Sequence, residues 1–158
     1  ESIDTTFNIG IRIASEEEPK FEFYTSRLGI GYKDIIPYYS QKIAEHPNAR
    51  LKMLHFFINT GIKDTAYYWN ELFKCLRVYA RLKKIAPEVD SLNIGGGFPI
   101  KTSLNFDYDY EYMVNEIVSQ IKKFCEEEGV EEPNIYTEFG SFTVGESGAN
   151  LYQIISQK

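Results

Sequence analysis

The chain has 158 residues, 43% of them hydrophobic and 25% charged, and its 17 basic against 23 acidic side chains leave a net charge of −6. That mixture excludes collagen-like, low-complexity and disordered classes, and no apolar run reaches the roughly 18–20 residues that a membrane span requires. No basic stripe offers itself to nucleic acid, and two cysteines 50 positions apart in apolar stretches read as buried, reduced thiols of a cytoplasmic protein.

Short β-rich runs alternate with longer stretches of 3.6-residue period. The first run is Phe7 to Ala14, followed by a polar stretch through Glu16, Glu17, Glu18 and Pro19 and a helical pattern over 34–45 with Pro37 in its first turn. The second run, Leu51 to Asn59, leads to Asp64 as N-cap of a helix reaching Ile85, with Trp69, Leu72, Phe73, Leu76 and Ala80 as its apolar positions. The third run, Ser91 to Phe98, precedes a helix over 108–127 whose face holds Tyr110, Met113, Ile117, Ile121 and Phe124, with Gly129 as C-cap. The fourth run is Asn134 to Phe142, and the chain then reads as extended to Lys158.

Strand–helix alternation predicts βαβ units and a parallel sheet. Period-2 parity puts Ile9, Ile11 and Ile13 opposite Arg12, and Leu54, Phe56 and Ile58 opposite His55 and Phe57; Glu138 opposes Thr137 and Phe139. One face is thus apolar and the other small or polar, with a functional group near each strand end. A doubly wound sheet reads apolar on both faces, so this pattern favours part of a TIM-type (β/α)8 barrel with about four βα units. A closed barrel takes roughly 250 residues, so 158 residues starting at Glu1 without a Met read as a single domain that is part of a larger one. Open strand edges also predict self-association, a homo-oligomer.

Gly95, Gly96 and Gly97 directly follow an apolar strand. Glycines there expose N–H groups and let the backbone approach a phosphate; a flexible turn ended by Pro99 is the alternative. Glu138 points inward by parity and needs a cation, either a ring nitrogen of a bound heterocycle or Arg12 in a simple ion pair. His55 and Phe57 could stack on a flat ligand, and Thr60 could offer its hydroxyl to a phosphate. His46 reads as a solvated loop residue, Tyr68, Phe73, Tyr110 and Phe124 as core, and Glu126 to Glu128 as a solvated helix end.

In order and spacing these segments resemble the fold-type III pyridoxal 5′-phosphate decarboxylases of ornithine, arginine and diaminopimelate, with their alanine-racemase-like barrel. Ile9 to Ala14 with Ser26-Arg27-Leu28-Gly29 is similar to the family's Arg-bearing strand and Ser-Lys-Phe-Gly segment. Leu54 to Thr60 resembles Phe-His-x-Gly-Ser, Leu92 to Pro99 the phosphate loop, and Thr137 to Ser141 the Glu-Pro-Gly-Arg motif. The variants are most like a bacterial arginine decarboxylase subgroup.

The resemblance implies that Gly95, Gly96, Gly97 and Thr60 hold the cofactor phosphate, with Gly140 and Ser141 nearby. It gives Glu138 the catalytic place at the pyridine nitrogen and sets Arg12, His55 and Phe57 around the ring. Two positions depart from the pattern. Phe57 stands where the family stacks a His, and Ser141 where it has a phosphate-binding Arg; Arg27 or a residue elsewhere would then supply the charge. The family's cofactor-bearing lysine lies upstream and its acid-donating Cys in a downstream β-domain, neither matched here, and Lys63 and Lys101 are not in the lysine's context. The resemblance therefore implies an amino-acid decarboxylase parent, with arginine, ornithine or diaminopimelate as the small-molecule substrate and polyamine biosynthesis as the role, and a chain inactive by itself. A non-catalytic regulatory relative and a sugar-phosphate enzyme are the competing readings.

Overall fold

The computed structural model describes residues 5–15, 28–58, 60–101, 106–148, 151–153 and 155–156; Glu16 to Pro19, Ser26, Arg27 and Asn59 lie outside them. Phe7–Ala14 (β1), Ile30–Gly31 (β2), Ala49–His55 (β3), Ser91–Asn93 (β4) and Asn134–Tyr136 (β5) form one parallel sheet in the order β2-β1-β3-β4-β5. Ile35–Tyr38 (α1), which runs on into a π-helical turn at Tyr39–Ile43, Ala66–Ile85 (α2) and Tyr110–Glu128 (α3) connect the strands, and Gly140–Val144 (α4) follows β5. β1, β3, β4 and β5 are neighbours in chain order with no reversal. Right-handed crossovers along these four carry the connecting helices to one face; the order reverses at β2, a two-residue strand on the far side of β1. This is the α/β arrangement of part of a barrel.

The buried set shows which face the helices cover. Ile11, Ile13, Leu51, Leu54, Phe56, Ile58 and Leu92 meet Tyr68, Leu72, Cys75, Leu76 and Tyr79 of α2 and Met113, Ile117, Ile121 and Cys125 of α3. Each such aliphatic side chain contributes about 1.5–3 kcal/mol by leaving water. Lys52 is an extra residue in β3, since Ile9 pairs with Leu51 and Gly10 with Met53. This bulge switches the buried positions from Ala49 and Leu51 to Leu54, Phe56 and Ile58 without turning any of them to the open face. Both cysteines are buried and free, as their apolar settings predict. Glu71 is buried too, and its carboxylate accepts from Tyr32 Oη and Lys74 Nζ at 2.8 Å each, which offsets the loss of water.

Several boundaries differ from the sequence reading. Thr65, not Asp64, caps α2, because its hydroxyl accepts from Tyr68 N while Asp64 accepts from Trp69 Nε1 at 2.6 Å. The buried stripe of α2 takes in Tyr68, Cys75 and Tyr79, leaving Trp69 and Phe73 half-buried. β2 was not expected, since two residues carry no periodicity. β5 ends at Tyr136, and residues 140–142 are helical instead of extended. Helical spacing brings Phe139 and Phe142 to one side, 4.3 Å from the Phe98 ring and 4.9 Å from the Tyr110 ring respectively. The described residues beyond 150 form no strand, and Leu151, Tyr152 and Ile155 are almost fully exposed. No helix among the described residues is long and apolar enough to cross a membrane.

Candidate functional site

Strand pairing aligns four residues in one transverse row: Arg12 with His55, His55 with Asn93, and Asn93 with Tyr136. Parity fixes their side, because Ile11, Ile13, Leu54, Phe56, Leu92 and Ile94 are buried on the other. Phe57 follows His55 on the open face, its ring centroid 5.5 Å from Arg12 Cζ, a cation–π distance. Glu138, just past β5, turns its Oε1 to Asn93 Nδ2, which donates at 2.8 Å, and lies 3.7 Å from His55 Nε2.

Burial pushes the His55 imidazole below its ordinary range; the Glu138 carboxylate works against that and the Arg12 charge reinforces it. Arg12 forms no ion pair with Glu138 among the described residues, so the alternative of a simple Arg–Glu pair is not what is seen. Arg12 Nε and His55 Nε2 are both buried with no hydrogen-bond partner among the described residues. Buried polar atoms without partners are uncommon, and beside an open face they suit a polar ligand.

The glycine triplet sits beside this row. Gly95 and Gly97 have φ of 71° and 104°, left-handed values that favour glycine. At Gly96 a Cβ would collide with the Glu138 carbonyl oxygen, and at Gly97 with Gly61 Cα at 2.8 Å. The Gly95 carbonyl accepts from Glu138 N at 2.8 Å and the Gly97 carbonyl from Ile62 N at 2.9 Å, while Gly95 N donates to Asn93 Oδ1 at 2.8 Å. The N–H groups of Gly96 and Gly97 meet no acceptor among the described residues. A groove of about 930 Å³ opens at this loop, lined by Thr60, Gly97 and Ser141 together with Lys63. Among the described residues Lys63 is the one base of its lining, against three acids: Asp64 accepts from Trp69, Asp109 caps α3 through Tyr112 N, and Asp107 is the third.

The structure therefore brings the expected residues into two adjoining groups: Arg12, His55, Phe57 and Glu138 on the open face, and Thr60, Gly97 and Ser141 in the groove. Gly95 and Gly96 form the wall between them. Gly140 donates its N–H to Glu138 O at 2.9 Å, but a Cβ there would meet nothing, so no steric demand selects glycine. Asn93 was missed as a site residue. A polar side chain at the end of an otherwise apolar strand, two residues before Gly95, was the signal available. His46 is exposed as expected, though its Nδ1 also accepts from Asn48 N and Ala49 N at 3.2 Å.

Unbonded glycine N–H groups, a Thr hydroxyl and a Lys at one end, and an acid beside an aromatic ring and a guanidinium at the other, suit a ligand with an anionic group and a flat basic ring. Residues 3–145 match the family model described as the pyridoxal-binding domain of pyridoxal-dependent decarboxylases. A biosynthetic arginine decarboxylase of Geotalea uraniireducens is 37% identical over 101 residues, 60% of this chain and 16% of that protein. The chain thus spans about 16% of the length of this curated relative. Among solved structures, a biosynthetic arginine decarboxylase of Campylobacter jejuni aligns with TM-score 0.62 at 23% identity, covering 85% of this chain and 22% of its own. A lysine decarboxylase of Selenomonas ruminantium aligns with TM-score 0.68 at 19% identity, covering 88% and 35%. At those identities the two structures establish the fold.

Proposed function

We propose that this chain, which belongs to the pyridoxal-binding domain family of the pyridoxal-dependent decarboxylases, is the cofactor-holding part of a biosynthetic arginine decarboxylase. The observation that carries the reading is the contact of the glycine loop with Glu138, which sets an anion cradle and a carboxylate side by side. In this reading the N–H groups of Gly96 and Gly97, with the hydroxyls of Thr60 and Ser141, bind the phosphate of pyridoxal 5′-phosphate. Lys63 supplies charge where Ser141 cannot. Phe57 and Arg12 flank the ring. Glu138 pairs with the pyridine nitrogen, and His55, kept neutral by burial, leaves that carboxylate its charge. When bound, the cofactor supplies an electron sink for loss of CO2 from an amino acid. What this chain's residues do is bind its phosphate, orient its ring and hold a proton at its nitrogen, which is stabilisation of developing charge by fixed groups.

Arginine as substrate, with agmatine as product and polyamine biosynthesis as the role, rests on the names of the sequence relatives; ornithine and diaminopimelate are the alternatives. The lysine that carries the cofactor and the residues that read the substrate are assigned to other parts of a longer, cytoplasmic, homodimeric protein. Phe57 and Ser141 favour one competing reading, a non-catalytic relative with a regulatory role. A sugar-phosphate enzyme expects Glu138 to face an Arg, and its partners are Asn93 and His55 instead. The test is the longer parent protein supplied with pyridoxal 5′-phosphate and each amino acid in turn. Release of CO2 from arginine in preference to ornithine and diaminopimelate supports the reading; a folded, cofactor-loaded parent that releases none supports the regulatory one.

A further inference from the structure

Asn93 ties the acid of the open face to the glycine loop. Its Oδ1 accepts from Gly95 N and its Nδ2 donates to Glu138 Oε1, each at 2.8 Å, so one amide touches both the first residue of the glycine loop and the acid. Its backbone is anchored as well, with Asn93 O accepting from Phe56 N at 3.0 Å and strand partners on both sides in His55 and Tyr136. The Glu138 side chain, by contrast, is 53% exposed, with His55 at 3.7 Å as its other polar neighbour among the described residues. The amide bond therefore selects the carboxylate's orientation. Only a side chain with an acceptor and a donor on one short stem makes both contacts. Aspartate keeps the acceptor but presents a second carboxylate to Glu138, and leucine fills the space with neither.

Resting on the cofactor reading above, we infer that Asn93 is a positioning residue that sets the acid relative to the phosphate loop, and so selects ligands carrying a phosphate and a basic ring nitrogen. It acts through Gly95 and Glu138. Asn93→Leu loses both ties. Asn93→Asp keeps the tie to Gly95 and places two acids together, which raises the pH at which that pair and a ring nitrogen beside it give up a proton.

The experiment measures binding of pyridoxal 5′-phosphate and of benzyl phosphate, which lacks the nitrogen, to the 158-residue chain. It adds the pH dependence of the bound-ring absorbance and the hydrogen exchange of the Gly95 amide. Wild type favours pyridoxal 5′-phosphate by about tenfold or more, the size of one charge-assisted hydrogen bond. Asn93→Asp moves the absorbance midpoint up by about one unit. Asn93→Leu loses the tenfold preference and exchanges Gly95 N–H faster, while Asn93→Asp does not. An Asn93→Asp midpoint that overlays wild type, or an Asn93→Leu variant with unchanged preference and exchange, overturns the inference. A wild-type chain with no preference, but with the exchange pattern described, overturns the cofactor reading and the ligand selection together and leaves the amide's tie to Gly95 standing.

Discussion

Gly96 lies against the Glu138 carbonyl with no space for a side chain. Gly96→Val therefore has to push the loop off the end of β5, at about 1–3 kcal/mol for an overpacked site. Urea unfolding should show that loss, and equal stability would mean that the loop and Glu138 are not in contact. His55 gives a pH signature. Its imidazole titrates below the usual value of 6.5 in the folded chain because burial disfavours the cation. Between the folded and unfolded values the unfolded chain binds more protons, so stability is full above about pH 6.5 and declines as pH falls through it. Urea midpoints at pH 7.5, 6.5 and 5.5 should fall less steeply for His55→Gln than for wild type; identical slopes would contradict the assignment.

The helices obey local rules that can be tested one at a time. Thr65 caps α2 through Tyr68 N, and Thr65→Ala should lower stability by about 1 kcal/mol, whereas Asp64→Ala should leave that cap intact. An equal loss from both in thermal unfolding would restore Asp64 to the cap. How far such features could be read from sequence depended on length. α2, α3 and β1 are long enough for their period to stand out; Leu72, Leu76 and Ala80 of α2 and Met113, Ile117 and Ile121 of α3 are buried where the pattern put them, while Trp69, Phe73, Tyr110 and Phe124 are only partly so. β2 has two residues and β4 and β5 three each, too few to show an alternation, so their ends are set by glycine conformations and by hydrogen bonds between loops. The segment of α4 reads as strand in the sequence because Phe139 continues the apolar alternation of Ile135 and Thr137. Ring packing on Phe98 and Tyr110 decides that segment, and such packing has no local signature. Arg12, His55 and Glu138 were legible because parity placed them on the polar face. Asn93 was not, because its importance lies in two contacts 2 and 45 positions away along the chain.

Among the described residues the connecting helices lie on one side of the sheet, and no described element covers the other side or the outer edge of β5. Ile135, Tyr136, Phe142 and Val144 are each 37–60% exposed near that edge. An unpaired strand edge beside apolar surface drives association. Sedimentation of the 158-residue chain should show mass rising with concentration; a monomer over the whole range would mean that this edge is protected. The same open face holds the row of Arg12, His55 and Asn93. The measurement that decides whether a cofactor belongs there is the affinity of the chain for pyridoxal 5′-phosphate against pyridoxal, in wild type, Gly96→Val and Glu138→Gln. Saturable binding that needs the phosphate, lost in Gly96→Val and weakened in Glu138→Gln, is the result expected. Equal affinity for the two compounds, or three proteins that bind alike, would contradict it.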